Sequence, residues 1–312
     1  MGFAMKKTIV AVCAALLVQW ASGVGPSIRV GTYNIRNSRS DRNTPNAWNE
    51  RKDDLIDLVC KLDLDVFGLQ EVRPDQAACI RARMEAYEFV GDHREADRKT
   101  GEASPVCYRK ERFTSLDSGT FWLSETPDVP ASKSWGTAYT RICSYVILKD
   151  KATGKRFCFA NTHTDNVSAL AREKGMRLII ERMRKLVADA PIVFTGDHNC
   201  RENAKPSLAV SEVLRNALYE TKTPPQGPWR TFEGWSWRDT EVSAEEALAC
   251  PAEVRNAVKG PSRKRFGARI DYIYVSPGIK VLDYRTVNDP RRGKKLYPSD
   301  HFPVVATIEL PE

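Results

Sequence analysis

The chain holds 312 residues, 42% of them hydrophobic and 28% charged, with a formal net charge of +8. These proportions belong to a soluble globular protein and exclude a disordered or low-complexity chain, and the length allows one large domain with a substantial core. The basic excess favours anionic partners without naming one.

Lys6 and Lys7 precede the apolar run TIVAVCAALLVQW, and the small residues Ala21, Ser22 and Gly23 follow it. That order predicts a signal peptide over residues 1–23, export to the periplasm or the extracellular space, and a mature domain over residues 24–312. The run falls short of the ~20 apolar residues that a transmembrane helix needs. Export implies an oxidising compartment. Once Cys13 leaves with the leader an odd number of cysteines remains, so at least one thiol stays unpaired. Cys200 and Cys250 are the expected disulfide partners, with two free thiols as the alternative. The absence of any C-x-x-C pair argues against a zinc site.

Residues 28–35, IRVGTYNI, alternate as a strand, and Leu55, Leu58, Val59 and Leu62 recur at helical spacing within residues 47–62. DVFGLQEV is strand-like again, and PDQAACIRARMEA opens a helix with Pro74. A β-rich middle follows, in SPVCYRK, FTSLDSGTFWL, TRICSYVILKD and KRFCFANTHTD. The helix–strand order then returns: a long helix over residues 168–188, the strand PIVFTGD and a helix over residues 206–217. Residues 221–267 are rich in Pro, Trp and charge, lack periodicity and are expected to be loop-dominated. Three strands close the chain: ARIDYIYVS, IKVLDYRTV and HFPVVATIEL. Two αβ-rich halves, each with a β-rich stretch, predict one α/β domain built as a four-layer α/β sandwich, two packed mixed β-sheets flanked by helices.

Polar residues stand at the ends of these strands: Asn34, Glu71, His163 with Asp165, Asp197 with Asn199, Asp271, and the adjacent pair Asp300 and His301. A single one would be turn chemistry. Repeated at six strand ends that converge on one rim, they predict a reaction site. The segments TYNIR, LQEV, NTHTD, TGDHN, RIDYIYVS and SDHFPV occur in the order and spacing of the endonuclease/exonuclease/phosphatase superfamily, and the chain resembles its secreted bacterial members over essentially the whole mature length.

The resemblance implies hydrolysis of a phosphoester assisted by Mg²⁺, with Mn²⁺ as the alternative cation. Glu71 would give the cation a hard oxygen, Asn34 would ligate or orient beside it, and Asp300 would reach the metal. Asp197 would activate the attacking water, with Asn199 holding that water or the phosphate. His301 would bond a phosphoryl oxygen or act as acid or base, its tautomer fixed by Asp271. His163 resembles the family's second histidine, with Glu102 as its carboxylate partner. The implied substrates are nucleic acid, a phospholipid headgroup or a sugar phosphate, with no stable protein partner and a monomeric chain.

The sequence departs from the family at His198, where Phe is common, and lacks the Trp-Cys-Asp-Arg signature of phosphoinositide phosphatases. Trp122, Trp135, Trp229, Trp235 and Trp237 are expected near the rim, as packing or as a stacking platform. The basic stretches PSRKRFGAR and DPRRGKKLYPSDH read equally as solvated loops or as phosphate-facing ones. Outside the enzymes, the alternative is a non-catalytic binding module on the same fold.

Overall fold

The structure, a computed structural model, describes residues 27–187 and 189–312; the expected signal peptide lies outside them. The elements run β1 (Ile28–Asn34), α1 (Trp48–Leu62), β2 (Val66–Gln70), α2 (Pro74–Arg83), β3 (Tyr87–Val90), β4 (Val106–Arg109), β5 (Phe113–Trp122), β6 (Ile142–Asp150), β7 (Arg156–His163) and α3 (Ala169–Val187). They continue with β8 (Ile192–Asp197), α4 (Lys205–Ser211), β9 (Arg215–Asn216), α5 (Ala217–Glu220), α6 (Ala244–Leu248), α7 (Ala252–Arg255), α8 (Gly260–Phe266), β10 (Asp271–Val275), β11 (Lys280–Thr286) and β12 (Val304–Glu309).

Two parallel pairs organise the molecule. β1 and β2 are buried on both faces, and they pair with Val30 opposite Val66 and Asn34 opposite Gln70. A parallel pair needs a crossover, which α1 supplies by turning Leu55, Leu58, Val59 and Leu62 inward. The second half repeats the device: β7 and β8 pair in parallel, and α3 crosses between them with Met176, Ile179, Ile180 and Met183 buried. Antiparallel neighbours extend each pair into a six-stranded sheet, in the orders β11-β12-β1-β2-β4-β3 and β5-β6-β7-β8-β10-β9.

The sheets face each other across a core that includes Val30, Val66, Val106, Val146, Phe159 and Val193. α1 and α2 cover one outer face, and α3 and α4 cover the other. Each fully buried side chain of this kind contributes roughly 1.5–3 kcal/mol. The four expected layers are present, with both sheets mixed.

One polar contact interrupts the core between the sheets. Asn161 of β7 donates through Nδ2 to the carbonyls of Leu69 and Pro105 at 2.8 and 3.0 Å, while its Oδ1 accepts from Gln70 Nε2 at 2.7 Å. A side chain at Gly68 would not fit beside it, since a Cβ there would fall 2.3 Å from the Asn161 amide. Every polar atom of that amide is thus bonded to the opposite sheet, which is the condition for burying it without loss.

Four expectations shift. The helix opened by Pro74 stops at Arg83, and Tyr87–Val90 pairs with β4 as an edge strand too short to show a period. The helix expected over residues 206–217 ends at Ser211, and Arg215 and Asn216 pair with β10. Within residues 221–267 three short helices, α6 to α8, interrupt the loops. Cys200 and Cys250 are free thiols, contrary to the expected disulfide. Cys200 Sγ lies 3.3 Å from Ser207 Oγ and Cys250 Sγ faces the carbonyl of Glu246, so each is satisfied in its own segment. No helix among the described residues is long and apolar enough to cross a membrane.

Candidate active site

The central strands of both sheets end at one rim, and their last residues or the residues just beyond carry the polar groups. β1 ends at Asn34, Glu71 follows β2, β7 ends at His163, β8 ends at Asp197, and β10 begins at Asp271. Asp271 pairs directly with Asp197 in register. Asp300 and His301 stand in the loop before β12, and Ser299 Oγ anchors that loop to the Asn34 carbonyl at 2.7 Å. The buried guanidinium of Arg51 ties the same loop to the end of β1, donating to the carbonyls of Ile35 and Pro298 at 2.7 and 2.9 Å.

Turning these strand ends inward requires unusual backbone. Arg36, Glu71 and Asn199 all adopt left-handed φ, at 54°, 63° and 47°. Such strain in non-glycine residues costs on the order of 1–3 kcal/mol each and concentrates at functional sites. Gly196, just before Asp197, has φ 152°, and a Cβ there would fall 2.2 Å from the Thr162 carbonyl. Only glycine lets β8 approach β7 this closely.

The converging residues line a cleft of about 560 Å³. Glu71, Glu102, His163, Asp197, Asn199, Asp300 and His301 all contribute to its wall. Asn34 lies behind them, fully buried. Its Oδ1 accepts from the Arg36 amide at 3.0 Å, and its Nδ2 donates to Glu71 Oε1 at 3.1 Å and Asp197 Oδ2 at 3.0 Å. Of the two roles expected for Asn34, ligating or orienting, this geometry is the orienting one.

His301 and Asp271 form a buried dyad, with Nδ1 of the ring 2.9 Å from Asp271 Oδ2 and Nε2 left toward Asp197 Oδ2 at 3.7 Å. Burial alone would lower the imidazole, but the negative charges of Asp271 and Asp197 outweigh it and raise the ring to about 10. Asp197 is pushed up to about 7, first by burial and then by the charge of Asp271. A carboxylate poised near neutrality is suited to accept a proton from water.

His163 is held differently. Asn199 Nδ2 lies 2.9 Å from His163 Nε2 and also donates to the Thr164 carbonyl at 3.1 Å, which fixes the amide nitrogen on that side. His163 Nε2 therefore accepts, Nδ1 carries the proton, and Nδ1 has no partner. Burial, reinforced by the charge of Arg141, lowers the ring well below the usual imidazole range. The expected bond from Glu102 to His163 is not formed: Glu102 Oε2 takes Arg94 Nη1 at 2.6 Å instead. A charged guanidinium is the stronger donor for a buried carboxylate. Asp165, also at a strand end, accepts from Thr137, Ser168 and Val167, and so anchors the loop that leads into α3.

Glu71 Oε2 accepts from the Asn37 amide and side chain at 2.9 and 2.8 Å. Burial pushes Glu71 up, but His163, the Asn37 amide and Arg36 act against it and hold it low. Because His163 is kept neutral, the Asn37 amide and Arg36 secure the anion. Asp300 is raised by burial, with the like charge of Glu71 adding to it, and its Oδ2 lies 3.6 Å from Arg36 Nη1.

Two buried carboxylates that repel each other across one cleft are a donor set for a hard divalent cation, so Glu71 and Asp300 fit one. Asp197, Asp271 and His301 also offer ligand atoms within 4.8 Å of one another. One ligand of that group is an imidazole, which a hard cation favours less than oxygen, so the oxygen pair is the better seat for a hard cation.

Several cleft residues carry no sequence signal. Arg94, Tyr139 and Arg141 line the wall, with the half-exposed Tyr139 ring between the two guanidiniums at 5.3 and 5.6 Å. Phe232 and Trp235 come from the stretch expected to be loop. Arg36 was visible only as the last residue of TYNIR. Of the five tryptophans expected near the rim, Trp235 lines the cleft, Trp122 and Trp229 are fully buried, Trp135 bonds Glu125 and Trp237 stacks on Tyr297.

Known proteins resemble this chain in sequence and in fold. A solved mannosyl-6-phosphatase of Bacteroides thetaiotaomicron is 30% identical, with a TM-score of 0.78, over 91% of this chain and 100% of that one. Nocturnin of Drosophila melanogaster is 22% identical over 294 residues, 85% of this chain and 42% of its own. Tyrosyl-DNA phosphodiesterase 2 of Homo sapiens is 21% identical over 267 residues, 85% of this chain and 65% of its own. The chain spans about a third to two thirds of the length of the curated relatives it matches. The profile of the Endonuclease/Exonuclease/phosphatase family matches residues 31–301, a stretch that begins in β1 and ends on the histidine of the dyad, and the chain belongs to that family.

Proposed function

We propose that this chain is a divalent-cation-assisted phosphoester hydrolase, with Mg²⁺ as the cation and Mn²⁺ as its substitute. The observation that carries the reading is the opposition, across one cleft, of the His301–Asp271 dyad and the Glu71–Asp300 carboxylate pair, with Asp197 between them. A cation held by Glu71 and Asp300 would polarise a phosphoryl oxygen and offset charge on the leaving oxygen.

The chain's own residues do the rest. Asp197 accepts a proton from the attacking water, and the amide of Asn34 keeps one of its oxygens fixed. The His301 imidazolium, pinned at Nδ1 by Asp271, presents Nε2–H to a phosphoryl oxygen and stabilises the charge that develops there. Asn199, bridged to His163, positions the water or the phosphate from the opposite wall. Arg36, Arg94 and Arg141 give the cleft the positive field that draws an anionic ester in.

The 30%-identical mannosyl-6-phosphatase supports a sugar phosphate as one substrate, and the tyrosyl-DNA phosphodiesterase supports a phosphodiester as another. Export as a monomer to the periplasm or beyond is part of the same proposal, checked by N-terminal sequencing and sizing of the secreted protein.

The test is hydrolysis of a panel of phosphomonoesters and phosphodiesters with Mg²⁺, with Mn²⁺ and in EDTA. Turnover should require the cation, and Glu71→Gln should weaken its apparent affinity while the protein stays folded. Undiminished turnover in EDTA would sink the metal assignment, and inactivity toward every ester would leave the binding-module alternative.

A further inference from the structure

The three arginines that line the cleft are held in different ways. Arg94 bonds Glu102 at 2.6 Å, and Arg141 bonds Asn166 Oδ1 at 3.2 Å and lies 3.8 Å from Asp165. Both border one small recess with His163. Arg36 stands elsewhere: its Nη1 lies 3.6 Å from Asp300 Oδ2, and among the described residues it is the one cleft arginine in an ion pair with Glu71 or Asp300. The basic stretches PSRKRFGAR and DPRRGKKLYPSDH place none of their lysines or arginines in the cleft wall.

The backbone of Arg36 is fixed from three sides. Its amide donates to Asn34 Oδ1 at 3.0 Å, and its carbonyl accepts from Arg51 Nη2 at 2.6 Å and from Gln76 Nε2 at 2.9 Å. These bonds hold the left-handed φ of 54°, a strain that persists only where the surroundings over-determine it. The side chain is anchored once, by Nε donating to Asp41 Oδ2 at 2.9 Å. At 3.6 Å the contact with Asp300 is too long for a hydrogen bond, and Nη2 makes none among the described residues. Neutralising Asp300 would account for a charge at this place. It does not account for a guanidinium pinned at Nε, with both terminal nitrogens unspent in the cleft wall.

The nearby amides have no such donors left. Asn34 Nδ2 gives its two hydrogens to Glu71 and Asp197, and Asn199 Nδ2 gives its own to His163 and Thr164.

We propose that Arg36 is a specificity-determining residue, which selects phosphomonoesters over phosphodiesters by binding the third terminal oxygen of the phosphoryl group. Its role presupposes the phosphoester-hydrolase reading and goes further by naming the ester class. Near pH 7 a monoester carries about two negative charges and three terminal acceptor oxygens, whereas a diester carries one charge and two such oxygens. Three positive partners then meet three oxygens: the cation on Glu71 and Asp300, Nε2–H of His301, and the free nitrogens of Arg36. The Arg36 side chain is 30% exposed and that of His301 5%, so Arg36 meets the oxygen nearest the mouth of the cleft. The second substituent of a diester would have to leave by that mouth. It would replace the oxygen that Arg36 binds, and the charge-assisted contact would be lost.

The test compares 4-nitrophenyl phosphate with methyl 4-nitrophenyl phosphate on the full chain with Mg²⁺. The two share a leaving group and differ by one ester bond. Orthophosphate binding is followed by calorimetry in parallel, because it needs no turnover. Arg36→Gln removes the charge and leaves the backbone bonds in place, and Arg36→Lys keeps the charge without the planar pair of donors.

Arg36→Gln should lower kcat/KM by about 10²-fold for the monoester and by about tenfold or less for the diester, since both lose the field and one also loses a charge-assisted bond. Orthophosphate should bind about tenfold more weakly to it. Arg36→Lys should recover part of both rates and leave the monoester preference low. Equal losses for the two esters, a preference restored by lysine, or a wild-type preference for the diester would overturn the assignment and leave the hydrolase reading standing. If the wild type hydrolyses no ester with any cation, the hydrolase reading fails. A loss of orthophosphate binding in Arg36→Gln that lysine does not restore would then keep Arg36 as a phosphoryl ligand, and unchanged binding would remove it too.

Discussion

The two histidines of the cleft share a rim and differ in almost everything else. His301 is fixed by the Asp271 carboxylate and faces a second one, Asp197, so burial is outweighed and the ring is cationic. His163 has the Asn199 amide and, at 3.4 Å, the same Asp197 Oδ2 beside Nε2 and nothing on Nδ1, and burial with the charge of Arg141 outweighs the carboxylates, so the ring is neutral. The same side chain thus serves as charge on one wall and as a hydrogen-bonding strut on the other. Its partners decide which.

The largest effect that can break this contrast is the loss of the charged ring. His301→Ala should lower the rate of phosphoester hydrolysis by about 10²–10⁴-fold. Asp271→Asn keeps the size but favours the wrong tautomer, so it should approach the same loss, and the double variant should lose little more. Additive losses in a double-mutant cycle would make Asp271 a plain strand residue.

His163→Ala should cost less, roughly tenfold, below the range typical of positioned acid–base groups, because it removes a strut for Asn199. Glu102→Gln should cost less again, since Glu102 bonds Arg94 and not His163. If Glu102→Gln matched His163→Ala in kcat, the two would act as the pair expected from the sequence.

A pH titration sharpens the contrast without mutation. By NMR, the His301 ring should hold its protonated shifts from about pH 6 to 9 and titrate near 10, while the His163 ring stays neutral throughout. The sign for stability follows. The folded value of His301 lies above its ordinary 6.5, so the dyad's stabilisation is fully present below about pH 6.5 and is lost as pH rises through about 10. Denaturant midpoints across that range should fall for the wild type and less for Asp271→Asn.

The smallest effect concerns His198, whose ring has no polar partner among the described residues. Both ring nitrogens are buried and unbonded, and the ring stacks on Phe194 and Tyr274 at 5.2 and 5.6 Å. His198→Phe should stabilise the fold by about 1–2 kcal/mol, by removing two unsatisfied polar atoms from an aromatic stack. A lower melting temperature in the variant would show that the ring nitrogens have partners in solution.

What the sequence made legible follows the same division. Asp197, Asp271, Asp300 and His301 sit at the ends of strands whose apolar periods are unambiguous, so both their place and their convergence could be read. The partner of His163 could not, because Arg94 competes for Glu102 from a segment with no period, and only the fold brings the two within 2.6 Å. Phe232 and Trp235 were illegible for a related reason: residues 221–267 are ordered by short caps and bridges, and these leave no recurring apolar spacing. β3 and β9 are edge strands of four and two residues, shorter than any window in which alternation can be seen.

The Asn161 amide between the sheets bears on how activity should fade with heat. Each sheet carries part of the site, so the coordinate that would spoil the chemistry is a slide of one sheet over the other, and apolar faces resist sliding only weakly. Asn161 ties β7 to the Leu69 and Pro105 carbonyls and to Gln70, one residue before Glu71, so any slide must first break those bonds in a dry interior. Warming should therefore leave catalysis intact until the whole domain melts, and Asn161→Ala should open a window of temperature in which a folded protein no longer turns over.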